Sequence, residues 1–197
     1  MDVVFAPDVG DMYPGGQPEV TVDPGPFGDH LEGASRPGHF RGVLTVVAKL
    51  FHLVGPCAAY FGEKDFQQLV LVRRMAAGLS FPVSVVGCPI VRERDGLAMS
   101  SRNVYLSTDE RRAALSLSRA LRAAADRVRD GDRYALRVLE RMADEVHEEQ
   151  LADLDYAAIV DEETFEDVDL LERPARALVA ARVGKPRLID NTRLEPA

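Results

Sequence analysis

From Phe40 to Val54 the apolar residues recur at helical spacing: Phe40, Val43, Leu44, Val47, Leu50, Phe51 and Val54, with Val46 and Leu53 widening the stripe. That pattern predicts a helix with most of its surface buried, ended by Gly55-Pro56. A compact apolar run, Ala58-Ala59-Tyr60-Phe61, predicts a strand. A second helix is expected from about Asp65 to Leu79, with Phe66, Leu69, Val72, Ala76 and Leu79 inward, and Val83-Ser84-Val85-Val86 closes the unit as another strand. Strand, helix and strand joined by a crossover of this length imply a parallel sheet with a right-handed connection. Nearer the start, Val3-Val4-Phe5-Ala6 predicts a short buried strand stopped by Pro7, and Val20-Thr21-Val22 a second extended piece ended by Asp23-Pro24-Gly25-Pro26.

After about residue 91 the pattern changes. Ser107-Thr108-Asp109-Glu110 is a capping-box signature and opens a helix with Ala114, Leu117, Leu121, Ala124 and Val128 on one face. Asp130-Gly131-Asp132 breaks it, and a further helix is expected with Leu136, Leu139, Ala143 and Val146 inward. Tyr156–Val160 predicts a strand. Ala177–Val183 and Arg187–Asp190, joined by Gly184-Lys185-Pro186, predict a hairpin. The expected architecture is therefore α/β over residues 1–91, with a parallel sheet, followed by a smaller α+β domain over residues 92–197.

Composition narrows the function classes. The chain has 197 residues, 46% hydrophobic and 28% charged, an ordinary balance for a soluble globular protein. Its formal net charge of −8 argues against a phosphate-backbone binder, so no nucleic-acid partner is expected. No apolar run approaches the roughly 20 residues of a membrane span, and the opening Met-Asp-Val-Val-Phe-Ala-Pro-Asp lacks the features of a signal peptide. Cys57 and Cys88 show no metal or redox spacing and read as buried thiols in a reducing cytoplasm. The acidic runs Asp161-Glu162-Glu163 and Glu166-Asp167 read as a solvated loop rather than a metal site.

The candidate chemistry sits in two runs. Gly62-Glu63-Lys64-Asp65 follows the first predicted strand, and Met99-Ser100-Ser101-Arg102-Asn103 lies beyond the second. Strand ends of this kind are where open α/β sheets bind ligands. Lys, Arg, two Ser and backbone N–H groups are what a polyphosphate requires. Gly62 permits close backbone approach, and the Asp65 carboxylate suits sugar hydroxyls better than phosphate. Either run alone would be an ordinary turn or helix cap; the two together read as half of an ATP site. His39 reads equally as a helix-start histidine satisfied by backbone or as a site group, whereas His52 and His147 read as structural or solvent-facing.

These motifs, with Met12-Tyr13-Pro14, Arg36-Pro37-Gly38-His39-Phe40 and Asp95-Gly96-Leu97-Ala98 in the same order and spacing, resemble the pantothenate synthetases, the ATP-dependent pantoate–β-alanine ligases. The resemblance covers nearly the whole chain. It implies a Rossmann-like nucleotidyltransferase domain with a C-terminal lid, and a pantoyl-adenylate intermediate formed from pantoate and MgATP before β-alanine displaces AMP. It assigns Gly62, Glu63, Lys64, Asp65, Val91, Met99, Ser100, Ser101 and Arg102 to ATP: Lys64 on phosphate, Gly62 and Asp65 at the ribose, Val91 at adenine. Gln68 is implied for pantoate, and within the first turn of its helix it could reach the same crevice; Arg36 and His39 are weaker pantoate candidates. The implied partners are pantoate, β-alanine and ATP with Mg2+, in a cytoplasmic enzyme that is a homodimer when complete.

One family feature has no counterpart. The family carries a His-x-Gly-His element whose imidazoles contact the triphosphate, but the histidines here stand at 30, 39, 52 and 147. No catalytic residue is therefore assigned. The expectation is a partial Rossmann-like domain, the C-terminal two-thirds of a synthetase, without turnover by itself. The alternative is a non-catalytic remnant with at most weak nucleotide binding.

Overall fold

The computed structural model describes residues 2–196. Its residues group into two compact units, one of residues up to Phe61 together with Gln67–Val86, the other of Gly62–Phe66 together with the chain from Gly87 onward.

In the first unit the helical spacing from Phe40 produces α1 (His39–Val54), which buries Phe40, Leu44, Val47, Ala48 and Phe51. Gly55, at φ 77°, ends it and returns its N–H to the Phe51 carbonyl. β1 (Cys57–Gly62) follows, and α2 (Phe66–Gly78) carries the chain to β2 (Val83–Cys88), which pairs parallel with β1. Val72, Met75 and Ala76 of α2 pack with the α1 stripe, and Phe51 meets Phe81 edge-on at 5.5 Å.

Several expectations need correction here. Val3–Ala6 forms no strand; Val3, Val4 and Phe5 are exposed, because a strand needs a hydrogen-bonded neighbour and none is beside it among the described residues. Val20–Val22 also joins no sheet, though the Val22 N–H is held by the Thr45 hydroxyl at 3.0 Å. Leu53, Val54 and Leu79 face outward: each lies at or near its helix's end, where the core-facing stripe has rotated past the packing surface. Cys57 and Cys88 are half-buried free thiols rather than core residues.

In the second unit the Ser107–Glu110 capping box opens α3 (Thr108–Arg129), with both reciprocal hydrogen bonds formed. Its stripe Ala114, Leu117, Leu121, Ala124 and Val128 is buried throughout. α4 (Ala135–His147) turns Ala135, Val138, Met142 and Val146 inward. The inward face is one residue away from the expected one at its start: Leu136 is exposed, since Ala135 and Val138 occupy the face toward α3. β3 (Ala152–Asp161), β4 (Ala175–Val183) and β5 (Arg187–Leu194) form an antiparallel sheet in that order. The helices pack on this sheet, and β4 is buried at every position but Arg182.

Of the acidic runs, Glu163, Glu166 and Asp167 are exposed as a solvated loop would have them, but Asp161 and Glu162 are not. Asp161 is buried, and its carboxylate accepts from the Glu163 and Thr164 N–H groups at 2.9 and 2.8 Å while pairing with Arg173 at 2.9 Å. These contacts, led by the Thr164 amide, hold its carboxyl below the ordinary range against the opposing effect of burial. They also brace the turn that puts Phe165 at φ 62°, a region costly for a bulky residue. Glu162 is engaged as well, with Arg176 at 2.7 Å.

Candidate functional site

Gly62 leaves β1 in extended conformation, and Glu63–Asp65 form one 3-10 turn before α2 begins at Phe66. What fixes this turn is side-chain chemistry from β5. Asn191, buried, donates both amide hydrogens, one to the Glu63 carbonyl and one to the Lys64 carbonyl, each at 2.9 Å. Its own carbonyl accepts from Arg176 at 3.1 Å. The Arg176 guanidinium lies 4.0 Å over the Phe66 ring and 3.5 Å from the Glu63 carboxylate, and Phe66 stacks on Phe165. Lys64, whose backbone is held this way, lines a small void of about 10 Å³ together with Ala98, Ser100, Asn103 and Asp190.

The second run is presented by a small hairpin-like loop rather than directly by a strand end. The Met99 N–H donates to the Val91 carbonyl at 2.9 Å, Arg92 bridges to Ala98, and the turn passes through Gly96 at φ 95°. A glycine is required there because other side chains rarely adopt that φ. Arg92 donates to both oxygens of Asp190, at 2.6 and 3.0 Å, and to the Gly96 carbonyl at 3.1 Å. Ser100 then caps a 3-10 turn over Ser101–Tyr105 by accepting from the Arg102 N–H.

Beneath the turn, Asn103 is buried and donates to the Glu93 carboxylate at 2.6 Å and to the Ala98 carbonyl at 3.1 Å. Two acceptors on one side fix which way its amide points. The Asn103 carbonyl oxygen is buried without a hydrogen-bond partner. Glu93 is held below the ordinary carboxylate range, first by Asn103 and then by Arg111. For Asp95, burial pushes upward, but the Leu97 amide and Arg111 outweigh it and the net shift is down. Arg111, pairing with both acids, is correspondingly raised. The loop base is thus a fully charged cluster at neutral pH.

Gly62–Asp65, Val91 and Met99–Arg102 all fall in the second unit, and Lys64 and Ser100 line the same small void. Val91, Met99, Ser101 and Arg102 are exposed, Met99 and Val91 at 56% and 61%. Arg36, His39 and Gln68 belong to the first unit. There Arg36, just past a single-turn helix at Glu32–Ser35, meets the His39 ring nitrogen at 2.9 Å, and His39 is the first residue of α1. Gln68 is half-buried in the first turn of α2. Its neighbour Gln67 is a structural residue that the sequence reading passed over: buried, it accepts from the Glu32 N–H and donates to the Phe27 and His30 carbonyls. Among the described residues no group of three or more His, Cys, Asp or Glu side chains could hold a metal ion.

Asp190, Asn191, Arg92 and Arg176 were missed as well. The signal available was two consecutive poor strand formers, Asp190-Asn191, inside an otherwise strand-like run.

Comparison with known proteins gives a consistent set of matches. The family model for pantoate-beta-alanine ligase matches residues 1–193. The pantothenate synthetase of Rubrobacter xylanophilus is 54% identical over 98% of this chain and 69% of its own length. The crystal structure of pantothenate synthetase from Thermus thermophilus superposes with a TM-score of 0.93 at 49% identity, covering 99% of this chain and 70% of that one. The pantoate-beta-alanine ligase of Francisella tularensis, solved with beta-gamma ATP and beta-alanine, matches with a TM-score of 0.68 at 30% identity, over 93% of this chain and 61% of that one. The parallel pair and the antiparallel sheet are accordingly parts of a nucleotidyltransferase-like α/β fold with a smaller C-terminal domain.

Proposed function

The chain belongs to the pantoate–β-alanine ligase family, and on that premise we propose that it serves as an ATP-dependent, AMP-forming ligase joining pantoate to β-alanine. The observation that carries this is identity of about half over nearly the full chain, with both loop motifs inside the matched region. In the reaction the resemblance implies, a pantoate carboxylate oxygen attacks the α-phosphorus, the α–β phosphoanhydride bond breaks, and pyrophosphate leaves. The β-alanine amine then attacks the acyl carbon, loses a proton, and AMP departs. Mg2+ enters with the nucleotide as part of the substrate.

On this reading Lys64 and Arg102 meet phosphate charge, Gly62 and Asp65 the ribose, and Val91 the adenine, with Glu63, Met99, Ser100 and Ser101 completing the nucleotide loops. Support comes from the firm anchoring of the Glu63 and Lys64 carbonyls and from the placement of Lys64 and Ser100 beside one small void. A cationic group held in place without reorganising is what stabilises charge on a reacting phosphate. Gln68 is proposed for pantoate, with Arg36 and His39 as further candidates. The resemblance carries two more expectations, a homodimer and a cytoplasmic location, which sedimentation and cell fractionation read directly. The test of the reaction is pyrophosphate and AMP formation from ATP, pantoate and β-alanine. Pyrophosphate release that requires pantoate but not β-alanine supports the adenylate route, and pantothenate formation without AMP overturns it.

A further inference from the structure

Adjacent residues of a β-strand point to opposite faces, so a consecutive polar pair can reach two different neighbours. Asp190 and Asn191 do so, and both are almost wholly buried, at 4% and 1% exposure. Asn191 has two amide hydrogens, and both go to the Glu63–Lys64 turn. Asp190 receives the two parallel N–H groups of Arg92, which also reaches the Gly96 carbonyl of the other loop. The pair is itself braced: one Asp190 oxygen accepts from the Asn191 backbone N–H at 2.8 Å, and Arg176 holds the Asn191 carbonyl.

Burying a carboxylate and a carboxamide is costly unless each polar atom is matched, and here the matching partners are the two loops. We propose that Asp190 and Asn191 are positioning residues that set the spacing between the Gly62–Asp65 turn and the Val91–Arg102 loop, so that Lys64 and the Ser100–Arg102 groups address one nucleotide together. The proposal rests on the reading of both loops as ATP loops. Asn191 acts through the Glu63 and Lys64 carbonyls, and Asp190 through the Arg92 side chain, which holds the Gly96 carbonyl.

The decisive variant is Asn191→Asp. It keeps the shape and leaves Arg176 a partner, but it turns two donors into an oxygen facing two carbonyls. Three measurements read it. Backbone hydrogen exchange should rise roughly tenfold or more at Glu63–Phe66, as expected when two hydrogen bonds are lost, while the β4 amides keep their protection. In a full-length synthetase carrying these residues, pantoate-dependent pyrophosphate release should fall roughly 10- to 100-fold with the KM for β-alanine unchanged, a split that a merely structural lesion would not produce. In a double-mutant cycle with Lys64→Ala, the two losses should be far from additive, since both act on one contact.

If Lys64→Ala alone leaves pyrophosphate release intact, the ATP reading of the loop fails. If Lys64→Ala is damaging while Asn191→Asp leaves exchange at Glu63–Phe66 unchanged, or adds independently to it, the positioning role fails and the ATP reading stands. Asn191→Ser, which removes the amide without adding charge, carries the same expectations and the same overturning results should the carboxylate prevent folding.

Discussion

The two units of this chain handle apolar surface in opposite ways. In the unit after Gly87 the β3–β4–β5 sheet is covered by α3 and α4, and its largest side chains, including Leu117, Leu121, Met142 and Leu194, are sealed at 2% exposure or less. In the unit built on α1 and α2 the sheet has two strands, and along β1 half-buried residues alternate with exposed ones such as Tyr60. Val3, Val4, Phe5, Val20, Leu53 and Val54 stand at the surface there. Three strands under a helical layer make a self-sufficient core, whereas two strands leave edges and faces that packing has not closed. The Gly62–Phe66 turn belongs with the sealed unit. Its rigidity is therefore drawn from a well-packed sheet, which suits the proposed role of Lys64 at a reacting phosphate.

The largest expected effect tests that contrast directly. Leu117→Ala removes a side chain that is 1% exposed and should cost about 2–5 kcal/mol of unfolding free energy. Leu53→Ala, at a 64% exposed position, should stay within about 0.5 kcal/mol. Denaturant titration of both variants decides it, and equal losses would erase the distinction between the units. Native-state hydrogen exchange should likewise place the slowest amides in β4 rather than in β1 or β2.

Next comes Lys64→Ala, which in a full-length synthetase carrying these loops should raise the adenylation barrier by about 2–4 kcal/mol while leaving the unfolding midpoint almost unmoved, since its loop is held through backbone carbonyls. Near-normal pyrophosphate release would rule the role out. Gln68→Ala should have a smaller consequence: about a tenfold higher pantoate requirement, in line with one lost hydrogen bond, with ATP affinity nearly intact. Equal loss of both affinities would make Gln68 a packing residue like its neighbour Gln67.

The contrast between the units also explains which elements are legible in the sequence. α1, α2, α3 and the hairpin of β4 and β5 were legible because their apolar spacing and caps are local properties, read within a few residues. Val3–Ala6 misled for a complementary reason: its composition suits a strand, but a strand exists only through a partner, and composition cannot supply one. Leu136, Leu79 and Leu53 misled because an apolar residue at a helix end fits either side of the stripe. The two loops proposed for nucleotide were legible as motifs, but what holds them was not. Asn191 contacts Glu63 and Lys64 across 128 and 127 residues, and a polar pair inside a strand carries no sign of where its hydrogen bonds go. Asp161 was misread on the same ground, since Asp-Glu-Glu looks solvated until the turn folds the Glu163 and Thr164 amides onto its carboxylate.

That turn supplies the smallest effect and the one with a pH signature. Asp161→Asn keeps an oxygen that can accept from the Glu163 and Thr164 amides but abolishes the ion pair with Arg173. Because Arg173 is 64% exposed, the pair should be worth roughly 1 kcal/mol or less. The folded carboxyl titrates below its ordinary value, so its contribution to stability is present above the unfolded value of about 4 and is lost as pH falls through the lower folded value. Asparagine does not titrate. The stability gap between the parent and Asp161→Asn should thus be constant from pH 7 down to about 5 and close in more acid solution. Denaturant midpoints of the two proteins across that range measure it. A gap that persists unchanged well below pH 4 would mean that the turn depends on the shape of the side chain rather than its charge.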